Sequence, residues 1–235
     1  MASVPFILVE NIARVRGRIA EAARTAGRSA DEVTLVAVTK YATAATTRAL
    51  FEAGCPILGE SRPQQLWEKA ERLADIAPQW HLIGHLQRNK VRRTLPYVNM
   101  IHSLDSLRLA ESLGDECRAA GRRLPAMLEV NVSGEAAKHG FAPAEIEPLL
   151  PQLASIAGLE IRGLMCMAGL ESAPAEARRE FASLRVLRDR LQRVAPEGLQ
   201  LGDLSMGMSG DFEAAIAEGS TLVRIGSALF EGIDA

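Results

Sequence analysis

Short apolar runs alternate along the chain with longer segments in which apolar residues recur every three or four positions. The first of the longer segments, 9–26, has the spacing of an amphipathic helix, and Gly27 follows as a stop signal. The first apolar run, 35–40, carries no charge before its terminal Lys40, which predicts a strand buried on both faces. Regular alternation of this kind predicts βα units and a parallel sheet.

Eight apolar runs are present, and each is followed by a helical pattern or a turn. The predicted strands are 35–40, 56–58, 80–84, 98–101, 126–131, 161–165, 203–206 and 221–225. Eight such repeats favour a closed (β/α)8 TIM barrel over a six-stranded open sheet. No linker or low-complexity tract interrupts the pattern, so we expect residues 1–235 to form a single domain.

The composition narrows the class of partner. Hydrophobic residues make up 48% of the chain, and 27 Lys and Arg against 29 Asp and Glu give a net charge of −2. This balance predicts no nucleic-acid-binding surface and no basic membrane-binding patch, so we expect a small-molecule ligand. Three cysteines without C-x-x-C spacing, together with the lack of a signal peptide or a membrane-spanning run, predict a cytoplasmic protein.

Lys40 stands at the exit of the first predicted strand, the end at which α/β barrels and open sheets place their chemistry. A lysine held there is expected to be partly desolvated, which lowers its pKa and frees the amine to attack a carbonyl. The simpler alternative is a lysine whose ammonium group reaches water beyond the strand. The position of Lys40 therefore raises the hypothesis of a Schiff base without deciding it.

The last two predicted strands are followed by short loops of small residues. Residues 205–211 are Gly-rich and precede a helical segment, so their backbone N–H groups and hydroxyls could face an anion. Residues 224–227 repeat the arrangement and add an arginine, whose forked donors suit phosphate. Barrels commonly hold a phosphate after strands seven and eight, although ordinary turns and a helix cap are the alternative. The residues predicted to contact such a phosphate are Ser205, Ser209, Arg224, Gly226 and Ser227.

Lys40 and a phosphate site in one cavity would together select a phosphorylated carbonyl compound. One candidate is pyridoxal 5'-phosphate (PLP), held as an internal aldimine. The other is a sugar phosphate that a class I aldolase processes through a lysine Schiff base. The aldolase hypothesis lacks an obvious carboxylate beside the lysine to transfer protons.

Eight segments, taken in order, resemble the pyridoxal phosphate homeostasis proteins over essentially the whole chain. These segments are 35–40, 59–62, 80–90, 130–135, 138–141, 163–165, 204–211 and 224–227. The resemblance implies a fold type III barrel like the N-terminal domain of alanine racemase, with PLP bound as an aldimine to Lys40. It also implies phosphate contacts from the segments around Ser209 and 224–227. The implied role is PLP (vitamin B6) homeostasis inside the cell, by buffering or delivering the cofactor. PLP-dependent apoenzymes are then candidate partners, and we expect a monomer.

Four further residues are candidates for the cofactor cavity. Where the family has Gly-Glu-Asn-Arg-x-Gln-Glu, residues 59–65 read Gly-Glu-Ser-Arg-Pro-Gln-Gln, so Ser61 offers a hydroxyl in place of an amide. His85 follows the third predicted strand, and a local hydrogen bond is the simpler alternative for it. Asn131 and Met165 are expected to line the cavity from strands five and six, although a methionine more often fills a core.

A second proton donor is not expected. Alanine racemase resembles this barrel but uses a tyrosine from an additional β-rich domain, and we expect no such domain after Ala235. Tyr41 would alternate to the far side of the strand if the strand continued past Lys40. We therefore predict a PLP carrier rather than an enzyme, with a PLP-dependent amino-acid racemase of low activity as the alternative. No pair of histidines has metal-ligand spacing, so no metal site is predicted.

Overall fold

Within residues 3–135, 139–169 and 173–233, which the computed structural model describes, eight parallel strands pair in chain order and close into a barrel. The strands are β1 Thr34–Val38, β2 Ile57–Glu60, β3 Gln79–Leu82, β4 Val98–Leu104, β5 Leu124–Glu129, β6 Leu159–Met165, β7 Asp203–Ser205 and β8 Leu222–Ile225. The helices are α1 Val4–Thr25, α2 Ala44–Glu52, α3 Pro63–Arg72, α4 Val91–Thr94, α5 Leu107–Ala119, α6 Pro143–Ser155, α7 Pro174–Val194 and α8 Phe212–Ala217. The predicted (β/α)8 barrel is confirmed.

Helix α1 completes the outer ring of helices. One helix lies between each pair of consecutive strands, whereas β8 is followed by a short 3-10 turn, Ser227–Leu229. Helix α1 packs between α8 and α2, where a helix after β8 would otherwise lie. Its buried Asn11 donates to the carbonyls of Leu229 (3.0 Å) and Glu231 (2.9 Å), which fastens the segment after β8 to the ring. The helix begins five residues before the predicted start at residue 9.

Two apolar cores flank the strands. The larger lies between the barrel and its helices, and the smaller fills the barrel interior. The interior core consists of Val36, Met127, Met165 and Leu222. Strands β6 and β7 approach so closely that a Cβ on Gly163 would lie 1.9 Å from the carbonyl oxygen of Asp203. Among the described residues, no helix has the length and apolar character needed to cross a membrane.

Candidate functional site

A cavity of about 790 Å³ opens at the carboxyl end of the strands. Its lining comes from the segments that follow β1, β2, β3, β6, β7 and β8. Six of the ten predicted site residues line it, namely Lys40, Ser61, Ser209, Arg224, Gly226 and Ser227. The barrel therefore brings the lysine and the two small-residue loops together, although the contact of each residue with a cofactor stays a prediction.

Lys40 lies in a β-turn rather than in β1. The strand ends at Val38, and the Ala42 N–H donates to the Thr39 carbonyl at 2.8 Å, so Lys40 and Tyr41 are the central residues of the turn. The Lys40 side chain is exposed, so the prediction of a partly desolvated lysine on a strand is wrong. The physical reason is that the chain turns two residues earlier than the apolar run suggested, which lifts the amine to the cavity mouth.

The same turn changes the position of Tyr41. The strand ends at Val38, so the condition under which Tyr41 would alternate to the far side is not met. Both residues line the cavity, and the Lys40 Nζ lies 5.0 Å from the centre of the Tyr41 ring. The Tyr41 side chain is 80% exposed. A tyrosine therefore stands beside the lysine, in water rather than in a packed pocket.

The loops after β7 and β8 are joined through Ser209. Its hydroxyl oxygen accepts hydrogen bonds from the backbone N–H groups of Gly226 (3.2 Å) and Ala228 (3.3 Å). Because Ser209 accepts both bonds, its hydroxyl hydrogen can be donated to a ligand. Gly207 permits the fold of this loop, since its φ is +93° and a Cβ there would lie 2.6 Å from the Ala215 Cβ. These two loops meet at Ser209, Gly226 and Ser227, which together form the Ser209 corner of the cavity. The Ser209 corner offers small residues, hydroxyls and backbone N–H groups, which suit a phosphate.

Arg224 forms the closed end of the cavity. It is only 3% exposed, yet it belongs to the cavity lining. Its Nη1 donates to the Ser205 hydroxyl at 2.6 Å, and its Nη2 donates to the Cys166 carbonyl at 2.9 Å. No carboxylate within the described ranges forms an ion pair with it. The guanidinium has five N–H donors, so others remain for an acceptor or anionic group of a ligand.

Ser205 lies behind Arg224 and does not line the cavity, because its hydroxyl is fully buried between Arg224 and His102. The His102 Nδ1 is 2.7 Å from the Ser205 Oγ, and its Nε2 is 2.9 Å from the His81 Nδ1. Burial lowers the pKa of His81 to about 4 and that of His102 well below its usual range, so both rings are neutral at pH 7. The Ser205 hydroxyl, which accepts from Arg224, therefore belongs to a buried hydrogen-bonded chain that continues through His102 to His81.

Known proteins match this chain over nearly its whole length. Residues 11–233 match the family described as the alanine racemase N-terminal domain. A pyridoxal phosphate homeostasis protein from Pseudomonas aeruginosa is 42% identical over 227 residues, covering 97% of this chain and 96% of the relative. A protein of the same name from Escherichia coli is 36% identical, covering 97% of each chain. The chain belongs to the pyridoxal phosphate homeostasis protein family.

Solved structures of related proteins have the same barrel fold, and alanine racemase shares this fold at lower sequence identity. PipY of Synechococcus elongatus, solved with PLP bound, has a TM-score of 0.84 at 36% identity over 95% of this chain and 99% of PipY. A protein from Bifidobacterium adolescentis has a TM-score of 0.89 at 38% identity over 97% of this chain and 96% of that one. Alanine racemase from Corynebacterium glutamicum shares the fold at a TM-score of 0.67 and 16% identity, over 94% of this chain and 62% of the racemase.

His85 does not line the cavity, although the sequence predicted that it would. It belongs instead to a cluster of side chains after β3. Its Nδ1 lies 2.6 Å from the Asp105 Oδ2, and its ring stacks on that of His139 with centres 4.2 Å apart and planes 10° apart. Donor atoms of these three residues lie within 4.8 Å of one another. Histidine binds metal along a lone pair in its ring plane, and nearly parallel planes do not share such a point. The geometry therefore favours a hydrogen-bonded pair over a metal site.

Asn131 and Met165 also lie away from the cavity lining. The Asn131 amide donates to the Glu135 carbonyl at 2.8 Å and its oxygen accepts from the Gly134 N–H at 3.0 Å, so the side chain shapes its own loop. Met165 is fully buried in the barrel interior, below the cavity, because its side chain points inward at the end of β6. The sequence interpretation gave no role to His81 or His102. The signal that could have found them is a histidine within or beside the otherwise apolar runs of β3 and β4.

Proposed function

We propose that this protein binds PLP reversibly through Lys40 and serves in PLP homeostasis, by buffering the cofactor or delivering it to other proteins. The observation that carries the proposal is that Lys40, the Ser209 corner and Arg224 line a single cavity. The PLP-bound structure of PipY and the homeostasis name of the relatives support it. PLP-dependent apoenzymes as recipients, a monomeric state and a cytoplasmic location belong to the same proposal.

The chain's own residues fit the two ends of such a ligand. PLP supplies an aldehyde, whose carbon a primary amine attacks with release of water. Lys40 is the only lysine among the described residues that line the cavity, and it offers that amine. Ser209, Gly226 and Ser227 would hold the phosphate, and Arg224 would bind an acceptor or anionic group of the ligand at the closed end. Ser61, on the segment after β2, lines the wall between these points.

We propose a carrier rather than an enzyme because the groups around Lys40 do not hold a proton donor in place. An efficient general acid must lie at a fixed position within hydrogen-bond reach of the reacting atom. Tyr41 is 80% exposed and makes only a ring contact with the lysine at 5.0 Å. The second candidate function, an amino-acid racemase of low activity, is favoured by this same tyrosine, since its hydroxyl is the group beside Lys40 that could exchange a proton.

The two functions are separated by titration and turnover on the same preparations. PLP is titrated into the protein and into Lys40→Ala, with Lys90→Ala, a lysine outside the cavity, as the control. The absorbance band of the covalently attached cofactor should appear in the protein and in the control and should be lost in Lys40→Ala. D-alanine formed from L-alanine is then measured for the protein and for Tyr41→Phe. We expect no turnover above background, and turnover that Tyr41→Phe abolishes would establish the racemase instead.

A further inference from the structure

The turn that carries Lys40 is fastened from beneath by a buried ion pair. Glu60, at the end of β2, is fully buried, and its Oε1 lies 2.6 Å from the Nζ of Lys69 on α3. The same Nζ donates to the Thr39 carbonyl at 2.6 Å, and the Thr39 hydroxyl donates to the Glu60 Oε1 at 2.7 Å. The Thr39 carbonyl is the one that closes the turn, because it also accepts the Ala42 N–H. It belongs to the peptide group that joins Thr39 to Lys40.

The pair is poorly suited to a purely stabilising role. Removing two charges from water costs several kcal/mol per ion, and good geometry with full hydrogen bonding is needed to offset this cost. The second carboxylate oxygen of Glu60, Oε2, is buried and has no hydrogen-bond partner in the described part of the chain. Apolar residues of similar volume would therefore serve stability at least as well. The arrangement does achieve one specific result, which is to fix the carbonyl immediately before Lys40.

We propose that Glu60 and Lys69 are positioning residues that hold the Lys40 turn so that its amine is directed into the cavity. This inference rests on the proposed covalent role of Lys40. The Lys40 side chain is exposed and, within the described part of the chain, makes only a ring contact with Tyr41, so its direction is set by the backbone of the turn rather than by packing. Lys69 fixes that backbone at one peptide plane, and Glu60 keeps Lys69 in place. Neither residue lines the cavity, so they act through the turn and not on the ligand.

The test uses a variant that removes both charges at once, Glu60→Leu with Lys69→Met. Lys69→Met alone would leave Glu60 buried and unpaired, which is strongly destabilising and uninformative. The matched control is Arg48→Gln with Asp75→Asn, which removes an exposed ion pair with bonds of 2.8 and 2.7 Å. Four quantities are measured on the full chain: the unfolding temperature, the affinity for pyridoxine 5'-phosphate, the covalent attachment of PLP, and the amide hydrogen exchange rate of Ala42. Pyridoxine 5'-phosphate has the ring and phosphate of PLP but no aldehyde.

In the double variant we expect covalent attachment of PLP to weaken about 10-fold or more, because displacing a reacting group by about 1 Å can cost a factor of about 100. The affinity for pyridoxine 5'-phosphate should stay within about 2-fold, and the Ala42 amide should exchange faster. The surface control should change none of these quantities. Unchanged attachment, or an equal loss for both ligands, would overturn the proposal. If the unmodified protein attaches no PLP, the proposed function fails, and the Ala42 exchange rate still decides whether the pair holds the turn.

Discussion

Arg224 donates a hydrogen bond of 2.6 Å to the hydroxyl of Ser205, and this bond ties the closed end of the cavity to a buried chain of hydrogen bonds. Ser205 on β7 is hydrogen-bonded to His102 on β4, and His102 is hydrogen-bonded to His81 on β3. The chain is neutral beyond the arginine, because burial lowers the pKa of both histidines. Arg224 is thus oriented by neutral hydrogen-bond partners, while the carboxyl groups of Glu129 and Asp211 interact with its charge without a direct ion pair.

Removing the Ser205 hydroxyl should weaken both the fold and the cofactor site. Ser205→Ala leaves buried groups of Arg224 and His102 without a partner, so the free energy of unfolding should fall by about 1–3 kcal/mol. The affinity for PLP should fall as well, because Arg224 keeps only its bond to Cys166. Urea unfolding and PLP titration measure the two effects.

The control for Ser205→Ala is Ser220→Ala. The Ser220 hydroxyl is also fully buried and bonds backbone carbonyls, at 2.8 Å to that of Met206 and 3.0 Å to that of Leu222, but it lies outside the cavity lining. This variant should lose stability and keep its PLP affinity. An equal loss of affinity in both serine variants would contradict the role of the Arg224 network.

Glu129 should make stability depend on pH. Burial, aided by the charge of Asp105, raises the pKa of Glu129 to about 7 from an ordinary value of 4.5. The folded state therefore holds this proton more tightly than the unfolded state, and the resulting stability is complete below pH 4.5 and is lost as the pH rises through 7. Glu129→Gln does not ionise, so its stability relative to the parent should rise by about 2–3 kcal/mol between pH 5 and pH 8.

Urea unfolding at pH 5 and pH 8 tests this difference. His81, with its pKa lowered to about 4, has the opposite effect, since its contribution is lost as the pH falls from 6.5 towards 4. That effect is common to parent and variant and cancels when one is subtracted from the other. A constant difference between Glu129→Gln and the parent at both pH values would contradict the raised pKa.

A methyl group at Gly163 should disrupt the barrel. The new Cβ would lie 1.9 Å from the carbonyl oxygen of Asp203, so β6 and β7 would have to separate, at a cost of about 3 kcal/mol or more. The control is Gly17→Ala, since nothing lies within 4 Å of a Cβ there and alanine favours α1 by about 0.5–1 kcal/mol. Thermal unfolding should show a lower midpoint for the first variant and a slightly higher one for the second. Equal midpoints would contradict the close approach of the two strands.

The strands were predictable because a buried parallel strand needs little more than a short apolar run, and all eight runs overlap a strand of the barrel. The end of β1 was not predictable in the same way. Residues 35–40 contain no turn signal, and the chain leaves the sheet after Val38 where Lys69 and Glu60 engage Thr39. Those partners lie 21 to 30 residues away, so no local pattern reveals them.

The residues of the candidate site were likewise predictable only in part. Loop residues after β7 and β8 gather at one cavity because the topology alone brings these loops together. Whether a residue at a strand end faces the cavity, the interior core or another side chain depends on the pleat and on partners from other strands. Met165 turned out to face the interior core and Ser205 to stand behind Arg224. Neither outcome is encoded by residue type or spacing.

The most direct test is to identify the lysine that carries the cofactor. The protein is incubated with PLP and reduced with borohydride, and its peptides are then mapped by mass across the chain's four lysines, Lys40, Lys69, Lys90 and Lys138. We predict that the phosphopyridoxyl group is found on Lys40 and that Lys69, whose amine is engaged by Glu60 and Thr39, is not modified. A label on another lysine, or no label at all, would contradict Lys40 as the site of attachment.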